Sequence, residues 1–201
     1  MKIYGDSRSG NCYKIQLLLS LLGKSCDWEE VDILAGDTQT DAFKQKNPNG
    51  KIPLMELDDG RLMSESNAIL HYIAAGSPLI PSSTFDYAKM LQWQFFEQYS
   101  HEPYIAVCRF IQLYLGLPED RQAEYEQKQQ GGYKALDVME QQLQTSPYLV
   151  GEKLTLADIS LFAYTHVAHE GGFSLDDYPA VKNWIALIKD QKQFISMTVK
   201  S

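Results

Sequence analysis

The sequence predicts two successive units: an α/β unit with a mixed sheet over residues 1–76 and an all-helical unit over residues 86–201, joined by a linker at residues 77–85. Three observations predict this. Before residue 76 the patterns run strand, helix, strand, loop, strand, strand, helix. Gly76, Pro78 and Pro81 then crowd three breakers together. From Asp86 onward no alternating pattern recurs, and apolar residues fall at helical spacings.

Ile3-Tyr4-Gly5 reads as a first short strand, and Cys12 to Leu22 as a helix whose Ile15, Leu17, Leu18, Leu19, Leu21 and Leu22 imply burial on nearly every side, with Gly23 as its stop. Cys26 to Ile33 alternates apolar and polar residues, the period of a half-buried strand. Strand, helix, strand implies a parallel pair through a helical crossover, and a later hairpin completes a mixed sheet, the pattern of a thioredoxin-like unit. The hairpin comes from Leu54, Met55 and Leu57 closed by Asp58-Asp59-Gly60. Ser64-Glu65-Ser66-Asn67 then gathers capping groups ahead of Ala68 to Ile73, a helix start.

A helix start leaves backbone N–H groups unpaired at the positive end of the macrodipole, which suits a carboxylate; Ser66 adds a hydroxyl, and Glu65 can hold an ammonium group beside it. Such a pair fits an amino-acid end bearing both charges. Pro53, opening a strand after the turn-rich Asn47-Pro48-Asn49-Gly50, is a candidate for a cis bond, because X–Pro prefers trans by only about 0.5–1 kcal/mol. A cis Pro53 would free the Ile52 N–H and C=O to pair with an extended peptide.

The stretch from Asn47 to Ile73 resembles the glutathione-binding half of the cytosolic glutathione transferases. "NPNGKIP" matches the loop before their cis-proline, and "ESNAI" matches their Glu/Gln-Ser-x-Ala-Ile signature. The resemblance implies a glutathione transferase fold, a thioredoxin-like domain followed by an all-α domain. It implies that Glu65 and Ser66 take the γ-glutamyl amine and carboxylate, that Ile52, held by cis-Pro53, pairs with the cysteinyl part, and that Lys51 meets the glycyl carboxylate, with Lys44 and Lys14 as alternatives. Transferases of the theta and delta kind often carry histidine where Gly50 stands, so the chain departs from them there.

In a thioredoxin-like unit the chemistry falls between the first strand and first helix, here Asp6 to Lys14. A thiol at a helix N-terminus has its anion stabilised, and a nearby hydroxyl can donate one more hydrogen bond to the sulfur. Ser9, three residues before Cys12, resembles the catalytic serine of the theta and delta transferases; Ser7, Asn11 and Asp6 compete for that place and for the helix cap. Cys12 could itself be the reactive group, but the residue type points to a small buried apolar side chain.

In the second half, Met90, Leu91, Trp93, Phe95, Phe96 and Tyr99 set a helix that Pro103 should kink or divide, and Ile105 to Leu115 continue it. Tyr104 and Arg109 are candidates for a second-substrate pocket, since in this family the long kinked helix lines that site. A polar helix near 120–130 leads through Gly131-Gly132 into an amphipathic stripe. Thr155 and Asp158 form a capping-box variant, matching the family's "G-x-x-x-T-x-A-D" segment. Tyr178-Pro179 opens a last helix. His166, His169 and Glu170 have metal-like spacing but no completing partner in sequence, so they read as helix-surface or cleft residues.

A net charge of −8 with no basic run argues against nucleic acid, and no apolar run approaches the length of a membrane span. Three cysteines without a C-x-x-C pair, and no leader pattern, point to a cytoplasmic protein. By resemblance the expected activity is attack of glutathione thiolate on a small hydrophobic electrophile. Glutathione is then a substrate, no metal or other cofactor is required, and the expected assembly is a homodimer. The alternatives are a glutathione-dependent reductase of peroxides or disulfides and a non-catalytic protein-interaction module.

Overall fold

Ile3 and Tyr4, buried in the middle of the first unit, lie on its central strand β1 (Lys2–Gly5). This strand pairs parallel with β2 (Asp27–Glu30) and antiparallel with β3 (Leu54–Glu56), and β3 pairs antiparallel with β4 (Leu62–Ser64), giving the order β2-β1-β3-β4. The mixed thioredoxin-like sheet expected from the sequence is present. The computed structural model describes residues 1–197. They form two units, Met1–Ser77 with the chain from Gln191, and Pro78–Asp190.

Helix α1 (Gly10–Leu21) begins earlier than the predicted Cys12, because Ser9 is the last residue with extended backbone. Cys12, Tyr13, Ile15, Leu17 and Leu18 on it are fully buried, as expected of a helix apolar on nearly all sides. Gly23 ends it with φ +62. β2 is half the predicted length; its ladder stops where β1 stops, at the Gly5–Glu30 pair, so the alternating residues beyond have nothing to pair with. Within the loop expected between the second and third strands, Asp41–Lys46 form a short helix, α2, capped by the Thr40 hydroxyl accepting from the Phe43 N–H. With one buried apolar residue, Phe43, it has no period to detect. Helix α3 (Ser66–Ile73) follows β4 and buries Ile69, Leu70 and Ile73. At the chain's far end, Tyr13 and Ser20 of α1 donate to the carbonyls of Ile195 and Gln193.

The second unit consists of α4 (Thr84–Phe96), α5 (Glu102–Arg109), α6 (Gln122–Leu143), α7 (Leu156–Thr165) and α8 (Pro179–Lys189). Pro103 does divide the long helix. It sits in the first turn of α5, where a missing N–H costs little, and the backbone widens to a π stretch over Glu97–His101 just ahead of it. Gly131 and Gly132 do not interrupt α6. A Cβ at Gly131 would strike the Tyr104 ring and one at Gly132 the Phe173 ring, so both glycines allow rings to pack on bare backbone.

Every residue of α7 is buried, and its first turn carries the predicted capping box. Asp158 accepts at Oδ2 from the Thr155 N–H (2.8 Å) and hydroxyl (3.0 Å), and at Oδ1 from the Leu149 N–H and the Trp184 indole N–H, both 2.9 Å. Its carboxylate thereby ties the approach to α7, the helix itself and α8 together. Burial pushes the Asp158 carboxyl upward, and these four donors oppose that shift.

His166 closes α7 with its ring stacked on Phe162, centroids 4.4 Å apart, and burial lowers its pKa to about 4, so the imidazole is neutral at physiological pH. That role is packing. Among the described residues no group of three or more His, Cys, Asp or Glu is placed to hold a metal, and no helix is long and apolar enough to cross a membrane.

Candidate functional site

The turn before β3 is built by Asn47, which is buried and accepts from the Asn49 N–H at Oδ1 while donating through Nδ2 to the Lys51 carbonyl (2.7 Å). Gly50 has φ +60, and a Cβ there would lie 3.1 Å from the Thr38 carbonyl. A side chain at this position would be strained in conformation and crowded by backbone, which accounts for glycine where the theta and delta pattern has histidine. Lys51 is exposed beside it.

The Ile52–Pro53 peptide bond is cis, as expected. The Ile52 side chain packs against Tyr4, Val31, Phe43 and Leu54. Its main-chain N–H and C=O have no hydrogen bond among the described residues. Leu54 pairs with Ser64, so the chain before β3 and the chain after β4 leave the sheet side by side. Glu65 therefore follows next to Pro53. It has φ +68 and ψ 112, a conformation rarely held by a residue with a Cβ, and its exposed carboxylate meets no partner among the described residues. Strain of this kind persists where the surroundings enforce it, and it clusters at ligand sites. Ser66, the first residue of α3, is buried.

The loop before α1 separates the competing candidates. The Ser7 N–H and hydroxyl both donate to Glu30 Oε1 at 2.9 Å. Asp6, 1% exposed, accepts from the Arg8 N–H and guanidinium. Both residues are engaged within the loop and on β2. Ser9 occupies the cap position but makes no capping hydrogen bond; its hydroxyl instead contacts the Cys12 sulfur. Asn11 Oδ1 accepts from the Ser66 hydroxyl (3.2 Å), so the start of α1 and the start of α3 meet.

Cys12 is fully buried, with Gly5 and Trp28 near its sulfur. Burial pushes its thiol up to about 12, despite hydrogen bonds from Ser9 and the Asp6 backbone. A protonated, inaccessible thiol is no nucleophile. Iodoacetamide at neutral pH is expected to leave Cys12 unmodified in the native protein while labelling the half-buried Cys26, read by peptide mapping. Labelling of Cys12 as fast as Cys26 would contradict this placement.

The two second-substrate candidates, Tyr104 and Arg109, both lie on α5 of the helical unit. Arg109 is 2% exposed, with its guanidinium paired to Glu170 inside the helical unit. The Tyr104 ring covers Gly131 and carries the Lys128 ammonium 5.4 Å above it. Sequence reading had no way to pair Arg109 with a residue so far along the chain.

Two family models match the chain: the glutathione S-transferase N-terminal domain over residues 8–75 and the C-terminal domain over residues 89–191. The chain belongs to the glutathione S-transferase family. A crystal structure of a glutathione S-transferase from Pseudomonas fluorescens Pf-5 is 60% identical with a TM-score of 0.96, each chain covering 98% of the other. One of a possible glutathione S-transferase from Rhodopseudomonas palustris is 43% identical with a TM-score of 0.94, over 100% of this chain and 90% of that one. Elongation factor 1-gamma of Artemia salina is 29% identical over 96% of this chain, which spans 45% of the factor's length. The transferase fold, both domains included, is thus established, and the site described above occupies the part of the first unit that the N-terminal family model covers.

Proposed function

We propose that this member of the family binds glutathione along Lys51 to Ser66 and joins it, through its sulfur, to a small hydrophobic electrophile. The observation that carries the proposal is the Ile52 main chain, without a hydrogen bond among the described residues, beside the strained Glu65 and the α3 N-terminus. Backbone donor and acceptor, ammonium acceptor and carboxylate site stand in the order an extended tripeptide needs. Lys51 is assigned the glycyl carboxylate. Ser9 is assigned the thiolate: its hydroxyl donates to the sulfur without losing its proton, the sulfur forms a bond to the electrophilic carbon, and the displaced group leaves with the bonding pair. Glutathione is a substrate here, and the chemistry asks for no metal. A cytoplasmic location belongs to this reading, as does a homodimer; the association is supported by Phe85, Phe95 and Tyr99, which are 72, 69 and 86% exposed on the helical unit.

Conjugation of glutathione to chlorodinitrobenzene is the direct test, with S-hexylglutathione expected to compete. Ser9→Ala is expected to retain glutathione binding while the bound thiol ionises at higher pH, followed by thiolate absorbance. Turnover unaffected by Ser9→Ala would remove Ser9 from the mechanism; a pKa rise in Ser7→Ala alone would reassign it to Ser7.

A second reading is supported by the similarity to elongation factor 1-gamma, a protein not named as a transferase. There the transferase fold would serve as a non-catalytic interaction module. No glutathione binding at millimolar concentration, and no conjugase, peroxidase or thiol-transferase turnover, would favour that reading. A reductase that uses glutathione as the thiol remains compatible with the site; one that uses Cys12 as nucleophile conflicts with the buried thiol.

A further inference from the structure

We infer that Lys14 is a positioning residue for the carboxylate that the Ser66 site receives, an inference that rests on the glutathione reading above. From the sequence Lys14 was an alternative to Lys51 at the glycyl end. The fold puts it at the other end of the ligand. Lys14 is completely buried on α1, and its Nζ donates to Asn11 Oδ1 at 2.7 Å and to Ser66 Oγ at 3.3 Å. Ser66 in turn donates to the same Asn11 oxygen at 3.2 Å.

An ammonium has only donors, so the Ser66 oxygen must accept from it, and the single hydroxyl proton of Ser66 is what remains to be given away. In this structure that proton goes to Asn11 Oδ1. The Asn11 oxygen already accepts from Lys14, so Ser66 can turn its proton to an arriving carboxylate and leave no acceptor unpaired. Lys14 thus acts twice. It holds the hydroxyl so that its proton is available, and it places a positive charge behind the carboxylate, where the shielded interior weakens the attraction less than bulk water would. The α3 N-terminus contributes in the same sense. Lysine is seldom fully buried without a polar role for its head group, and a packing stem alone would not explain why Nζ rests on two oxygens of the candidate site.

The test compares glutathione with an analogue whose γ-glutamyl carboxylate is replaced by a carboxamide, using calorimetry on the native protein and on Lys14→Gln and Lys14→Met. The native protein is expected to prefer glutathione by roughly thirtyfold or more. Both variants are expected to lose most of that preference, with glutathione weakened, the carboxamide little changed, and KM for glutathione raised more than kcat is lowered. Equal weakening of both ligands would mean a structural role and overturn the inference, as would unchanged glutathione affinity. Lys14→Arg, if it folds, is expected to keep more of the preference than either neutral variant. Should neither neutral variant fold, the native preference decides: below about threefold overturns the inference, and above roughly thirtyfold supports it. Binding of neither ligand by the native protein would instead defeat the glutathione reading, and this inference with it.

Discussion

The Asp158→Ala protein is expected to be less stable than the native one by about 3–5 kcal/mol. Removing the carboxylate strands the Leu149 N–H, the Thr155 N–H and the Trp184 indole N–H in the interior. An unsatisfied buried donor costs about 1–3 kcal/mol. All three sit where water cannot replace the lost oxygen, because Asp158 and its helix are buried throughout. Asp158→Asn separates the two halves of the interaction. Its carbonyl can still serve Leu149 and Trp184, but its amide then faces the Thr155 N–H, donor against donor, so an intermediate loss is expected. Thr155→Ala removes one donor to the same carboxylate and should cost on the order of 1 kcal/mol. Urea denaturation read as a midpoint shift at constant slope is the measurement. A loss below about 1 kcal/mol for Asp158→Ala would mean that the helical unit does not depend on this carboxylate.

Glu65→Ala is expected to weaken glutathione binding by about 1.5–3 kcal/mol, roughly ten- to hundredfold. The loss is smaller than for a buried charge pair because Glu65 is exposed. Glu65→Gln, keeping an acceptor without the charge, should fall between the two. Alanine keeps the Cβ and so leaves the unusual φ of +68 to be held by the neighbouring structure. Folding stability measured beside affinity therefore separates loss of the ammonium contact from relaxation of the turn. Unchanged glutathione affinity in Glu65→Ala would remove the central assignment of the site.

Much of this was legible in the sequence because it is local. The cis-proline turn, the hairpin at Asp58-Asp59-Gly60, the capping box at Thr155 and the division near Pro103 are each specified within a few residues of one another, by backbone stereochemistry and by hydrogen bonds that close over short loops. The order of strands and helices fixed a mixed sheet because a parallel pair needs a crossover and a hairpin is antiparallel. The α/β class of the first unit and the helical class of the second follow from those patterns alone.

Tertiary structure decided which polar groups are available and which are engaged. Ser7 and Ser9 look alike in the sequence; Glu30, brought alongside by the β1–β2 ladder, claims Ser7, while the Ser9 hydroxyl meets the Cys12 sulfur. Arg109 stands in the sequence as a lone charge in an apolar run, and its partner Glu170 lies far along the chain. Gly131 and Gly132 carry no packing signal in the sequence, and only the fold sets the Tyr104 and Phe173 rings against them. Lys14 read as one lysine among several; only the approach of α1 to α3 set its ammonium on Ser66. Local sequence specifies elements through short-range sterics and short loops. The partner of a buried charge or hydroxyl is chosen by contacts between residues far apart in the chain, which a single sequence does not encode in any pattern of spacing.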